Sequence, residues 1–86
     1  MPRISCFYGI TIWLYRPDHP PPHFHAQYSE HWAQISVADQ AVLSGSLPPR
    51  ALRLVTQWAL MHQAELQANW DLAQALRPLV PIDPLP

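Results

Sequence analysis

At 86 residues the chain has room for one small domain, and a domain of that size hides only a modest share of its surface, so its core must be compact. A net charge of -1, from five basic and six acidic side chains, excludes the strongly positive balance of a general nucleic-acid binder, and a single cysteine excludes an internal disulfide. With 49% hydrophobic residues, four tryptophans, no membrane-length apolar run and no basic-then-apolar opening of a secretory signal, the sequence reads as a folded, soluble, cytoplasmic domain with no membrane partner.

The expected architecture is one α+β domain over residues 1–86. A small antiparallel sheet of three to four strands precedes a long C-terminal helix, or two nearly coaxial helices, packed on one face. Strand character falls at about residues 3–8, 10–16, 23–28, 31–37 and 41–44, the helical region at about 49–76, and an extended tail at 77–86.

"RISCFYGITIWLYR" opens the chain with the Ile, Phe, Tyr and Trp that suit a pleated, partly buried surface. Gly9 divides it, as a turn between two short strands or a bulge in one bent ribbon. Cys6 reads as a small buried hydrophobe. Ile10, Ile12 and Leu14 share one face, and Thr11, Trp13 and Tyr15 the other.

In "PDHPPPHFHAQY" three successive prolines each fix φ and restrain the residue before them, forming a stiff lead-in. The alternation that follows sends Phe24, Ala26 and Tyr28 to the core and His23, His25 and Gln27 to the opposite, open side. Two histidines at i and i+2 on a strand lie about 6 to 7 Å apart along the chain, compatible with shared metal coordination. Asp18 is the leading third ligand, with His19, Glu30 and His31 as alternatives.

The same segment admits metal-free chemistry. One neutral imidazole among His19, His23 and His25 accepts a proton from a ribose hydroxyl, another donates one to the leaving oxygen, and Arg16 or Arg50 steadies the phosphate. The bland alternative is a wet sheet face on which the histidines pair with Trp32 or Gln34, while Asp18 caps a turn. No cofactor is required by the sequence, and a divalent metal is the one it could accommodate.

"HWAQISV" returns as a strand with Ala33, Ile35 and Val37 inward, and "VLSG" closes the sheet. "SLPPRALRLV" opens the helix, with Ser46 as a candidate cap and a proline at its first turn. Leu52, Val55, Ala59, His62, Leu66, Trp70 and Ala73 hold one helical phase, flanked by Leu54, Trp58, Met61 and Leu72. A continuous helix of that length would overhang so small a domain, so a bend near His62 or a covering partner is expected. Trp58 and Trp70 read first as core on a broad packed face; with Leu72 they are also the candidate partner-binding residues, for a small protein partner or a second copy. Pro78 ends the helix, and Leu79, Val80, Ile82 and Leu85 of the tail are free to dock.

Three stretches, "MPRISCFYGITIWLYRPDHPPPHFHAQY", "LSGSLPPRALRLVTQW" and "HQAELQANWDLA", together resemble the bacterial family called domain of unknown function 4160, over nearly the whole chain. The resemblance implies a small protein encoded beside another small protein, as in toxin–antitoxin modules, and hence a protein-interaction role; it implies no reaction. Pro20 departs from the polar residue usual after the Asp-His pair. The rival reading is a small histidine-dependent ribonuclease or metal-binding hydrolase built on Asp18, His19, His23 and His25.

Overall fold

The computed structural model describes residues 2–86; Met1, the first residue of the Met-Pro-Arg-Ile opening, lies outside the described residues. Strands β1 (Arg3–Phe7), β2 (Ile10–Trp13), β3 (His23–Tyr28), β4 (His31–Ser36) and β5 (Val42–Gly45) form one antiparallel sheet, each beside its neighbour in sequence. Helices α1 (Pro49–Met61) and α2 (Gln63–Gln74) follow.

The sheet has five strands, more than the three to four expected. Tyr8 and Gly9 both adopt positive φ, 50° and 78°, so the first apolar stretch folds back as a two-residue hairpin instead of bending as one ribbon. Val42–Gly45, short as it is, pairs along β4. Gly45 is obligatory there: its φ is 75°, and a Cβ would lie 2.1 Å from the carbonyl oxygen of Trp32.

Cross-strand register separates two faces. Ile12, Ala26 and Ala33 are successive partners, as are Phe24 and Ile35, and all five are buried on the helix side. Trp58 of α1 fills the centre, its ring 5.3 Å from Phe7 and 5.9 Å from Phe24, with no exposed area of its own. Burial of an aromatic side chain of this size contributes about 3 kcal/mol. Cys6 does not join the core. It is the register partner of Thr11, on the face away from the core, so its thiol is exposed, while a register shift between Arg3 and Ser5 brings Ile4 inward with Phe7.

The helical region breaks at His62, whose φ of -124° and ψ of 26° interrupt the ladder. A straight helix over residues 49–74 would run about 39 Å, longer than the greatest dimension of the molecule, 33 Å. The break therefore removes the overhang. Pro48 precedes α1 and Pro49 is its first residue, with no side-chain cap, so Ser46 does not serve as one. No helix among the described residues is long and apolar enough to cross a membrane.

The C-terminal tail shields the β1 edge. Asn69, buried in α2, donates to the carbonyl of Val80 and accepts from its N–H, both at 2.8 Å. The Ile82 N–H donates to Ile4 O at 2.8 Å, and Trp58 Nε1 donates to Asp83 O at 2.8 Å. Ile82 and Leu85 are buried, Leu79 packs against the core, and Val80 stays exposed. The tail so placed covers part of the β1 edge against pairing with another strand.

Candidate functional site

His23 and His25 occupy alternate positions of β3, so their rings leave the same face of the sheet, opposite Phe24. That face is not open at their level. Both histidines are buried, because the loop carrying Asp18 folds over them, Tyr15 packs its ring against His25 at 4.3 Å, and Trp70 of α2 lies 5.3 Å from His23. The expected wet histidine face is thus a covered one.

Asp18 is held from the opposite end of the chain. Its N–H donates to Gln74 Oε1 and its carbonyl accepts from Gln74 Nε2, each at 2.9 Å. The side-chain amide of the last residue of α2 therefore mimics a strand partner for the loop. The carboxylate is oriented further by the His19 N–H, 2.8 Å from Oδ1. Oδ2 is left to face both imidazoles, 3.0 Å from His23 Nε2 and 3.1 Å from His25 Nε2. The three donor atoms all lie within 4.8 Å of one another.

The two histidines differ in their bonding. His23 Nδ1 is 2.8 Å from the carbonyl oxygen of Pro21, and since a carbonyl only accepts, Nδ1 carries the proton. His23 Nε2 is close to Asp18 Oδ2 but out of line for a hydrogen bond, so it is a buried ring nitrogen with no hydrogen-bond partner among the described residues. His25 Nε2 does bond to Asp18 Oδ2. Burial lowers the pKa of His25, and the neighbouring His23 adds to this; Asp18 opposes but does not cancel it. For Asp18 burial acts to raise the carboxyl, but hydrogen bonds from His25 and the His19 N–H, with the two imidazoles nearby, outweigh it and hold the pKa below its ordinary value. The pair is therefore a carboxylate beside a neutral imidazole at neutral pH.

Two depressions flank the cluster, and Tyr15 lines both. One, of about 500 Å³, is bounded by Pro2, Tyr15, Arg16, Pro17 and Asp18. The other, of about 300 Å³, includes Tyr15, His25, Trp32, Gln34 and Ser44.

Of the candidate residues, Asp18, His23 and His25 converge and Arg16 lies beside them. His19 contributes its backbone N–H, while its residue is exposed and its ring is not among the converging groups. Glu30 and His31 pair with each other, at 3.6 Å, away from the cluster. Arg50 is exposed at the start of α1 and lines a different, small depression with Tyr8 and Tyr28. Trp58 and Trp70 are only 0% and 5% exposed and offer no surface to a partner; their size is used in the core and over His23. Leu72 is half-buried beside Val80 and Ile82 of the docked tail. His62, at the helix break, is bonded to Glu65 at 2.6 Å.

Tyr15, Gln74 and the Pro21 carbonyl went unassigned from sequence. The alternation in β2 placed Tyr15 on the non-core face and that in β3 placed His25 there, so their meeting was available from the two patterns together. Gln74 carried no such signal: it sits on the polar side of its helix, and its partner is the backbone of a residue 56 positions away.

No curated protein and no solved structure matches the chain. The sequence model of the family described as domain of unknown function (DUF4160) matches residues 9–71, a span that includes Tyr15, Asp18, His23, His25 and both helices up to Asp71, and the protein belongs to that family.

Proposed function

We propose that Asp18, His23 and His25 bind one divalent transition-metal ion and that the protein is a small metal-dependent hydrolase. The observation that carries this reading is His23 Nε2. With Nδ1 donating to Pro21 O, Nε2 lies 3.0 Å from a carboxylate oxygen and makes no hydrogen bond to it. Two electron-rich atoms so placed repel unless a cation serves both. A proton on Nε2 would pair with the carboxylate by charge alone, without the in-line N–H···O bond that completes such a pair.

Two imidazole nitrogens with one carboxylate oxygen suit a borderline first-row ion, and the Nδ1–H bond to Pro21 O is the kind of outer contact that fixes a ligating histidine. An ion on three protein donors keeps a position for water or substrate and supplies Lewis-acid chemistry there. A metal-free acid–base mechanism is less well served, because both Nε2 atoms turn to one carboxylate oxygen instead of outward to a substrate.

Titration of the metal-free protein with Zn(II) and Co(II) tests the reading. One equivalent should bind, with a cobalt spectrum of low-symmetry N/O coordination, and an Asp18→Asn, His23→Gln variant should bind none. Equal binding by the variant and the wild-type protein would refute the site. Cleavage of an activated phosphodiester by the loaded protein, lost in the same variant, tests the hydrolytic step.

A second reading keeps the chain as the interaction component of a two-gene, toxin–antitoxin-like module. Exposed Leu60 and Met61 at the end of α1, and an apolar depression running along it beside Leu52, favour this role. Leu60→Glu with Met61→Glu should then abolish a complex with the protein encoded next to this one, and an unaffected complex would exclude that surface.

A further inference from the structure

The sheet face turned away from α1 bears a row of unlike side chains. Trp13, His25, Gln34 and Ser44 are successive register partners across β2 to β5, so all four leave the same side. Thr11, Gln27 and Trp32 form the neighbouring row. The Trp13 and Trp32 rings stack at 6.5 Å with 28° between planes, and Trp13 Nε1 donates to Gln27 Oε1 at 3.3 Å, so the platform is braced.

Two aromatic groups on this face remain open: Tyr15 is 41% and Trp32 39% exposed. They line the 300 Å³ cleft together with buried His25 and with Gln34 and Ser44. The cleft thus joins exposed π surface to an amide and a hydroxyl that can each donate and accept. Across Tyr15 lies the larger depression, lined by Arg16 and Asp18, with the Arg16 guanidinium donating to the Arg77 carbonyl at 3.5 Å. A planar heterocycle satisfies the first cavity, and an anion on the same ligand satisfies the second.

We propose that this face binds a nucleotide, its base stacked against Trp32 and Tyr15 with Gln34 and Ser44 at its edge, and its phosphate lying toward Arg16 and the Asp18–His23–His25 cluster. The phosphate half rests on the metal reading above, whereas the base half stands on the cleft alone. Aromatic side chains on an open sheet are a recurrent platform for unpaired bases, tolerant of sequence because every base has a π face. The net charge of -1 favours a single nucleotide unit over a long polyanion.

Indole N–H signals of the metal-free and zinc-titrated protein report on this directly, with adenosine, 5′-AMP and ribose 5-phosphate as probes. The Trp32 and Trp13 signals should move with adenosine and AMP and stay still with ribose 5-phosphate. Trp32→Ala and Tyr15→Ala should each weaken adenosine binding about tenfold, with the fold retained at the temperature of the measurement. Arg16→Ala should weaken AMP and leave adenosine unaffected. Equal responses to ribose 5-phosphate and AMP, or still indoles at millimolar adenosine, would overturn the base site. Zinc that fails to bind while adenosine still moves Trp32 would sink the metal reading alone; zinc that binds while adenosine is silent would sink the base site alone.

Discussion

His23 Nε2 and Asp18 Oδ2 lie 3.0 Å apart, out of line for a hydrogen bond and close enough to serve one ion, as the proposed site requires. Removing either group should cost more in metal affinity than in fold. His23→Gln keeps a polar group of similar reach but breaks the ring geometry, and an affinity loss of 100-fold or more is expected, read by competition with a chromophoric chelator. Zinc at 100 times its dissociation constant should stabilise the wild-type protein by about 2.7 kcal/mol and the variant by almost nothing. Equal stabilisation of the two would remove His23 from the ligand set.

The metal-free protein should lose stability on acidification, with two groups acting in the same direction. His25 has a folded-state pKa below its ordinary 6.5, so the unfolded chain binds more protons just below that value. Its contribution is complete above about pH 6.5 and is lost as pH falls toward the lowered folded value. Asp18, also lowered from its ordinary 3.8, contributes fully above that value and loses its contribution as pH falls through the folded one. Urea unfolding between pH 3 and pH 8 should therefore show stability rising with pH through both windows. His25→Gln should flatten the upper window, and a wild-type curve already flat there would contradict the burial of a neutral imidazole.

Gln74 ties the site to the end of α2. Its two hydrogen bonds hold the Asp18 backbone, and at about 0.5 to 1.5 kcal/mol each their loss in Gln74→Ala should lower stability by about 1 to 2 kcal/mol. The larger effect should be on zinc, where a loosened carboxylate costs about tenfold in affinity. Gln74→Glu can still accept from the Asp18 N–H but cannot donate to its carbonyl, so it should fall short of the wild type in both measurements. Calorimetry and chelator competition on the same samples separate the two effects.

The period-two alternation of "HFHAQY" predicted the shared side of His23 and His25, because a strand permits no other arrangement of i and i+2. It could not predict their burial. The cover comes from Tyr15, Asp18 and Trp70, and Trp70 reaches His23 only because the helical region breaks at His62 and lets α2 depart from the line of α1. The helical phase that grouped Trp58 and Trp70 as one stripe was sound as a pattern. Its use as a partner surface failed because a domain this small needs both rings to fill its interior. Cys6 faces away from the core for a local reason, since the Tyr8–Gly9 turn pairs Phe7 with Ile10 and thereby sets Cys6 opposite Thr11.

Asn69 should control the C-terminal tail. It is 2% exposed and satisfies both backbone groups of Val80, and Asn69→Leu would leave those groups without their partner while keeping the branched shape of the side chain. A destabilisation of about 1 to 3 kcal/mol is expected. The release should reach further than the contact itself, because the Ile82 bond to Ile4 and the Trp58 bond to Asp83 hold the same ten-residue stretch against β1 and α1. Hydrogen exchange should show the Ile82 amide losing protection ahead of the β3 and β4 amides, and the uncovered β1 edge should promote self-association at high concentration. If Ile82 stays as protected as in the wild-type protein, the tail is held by its apolar contacts and not by the Asn69 clamp.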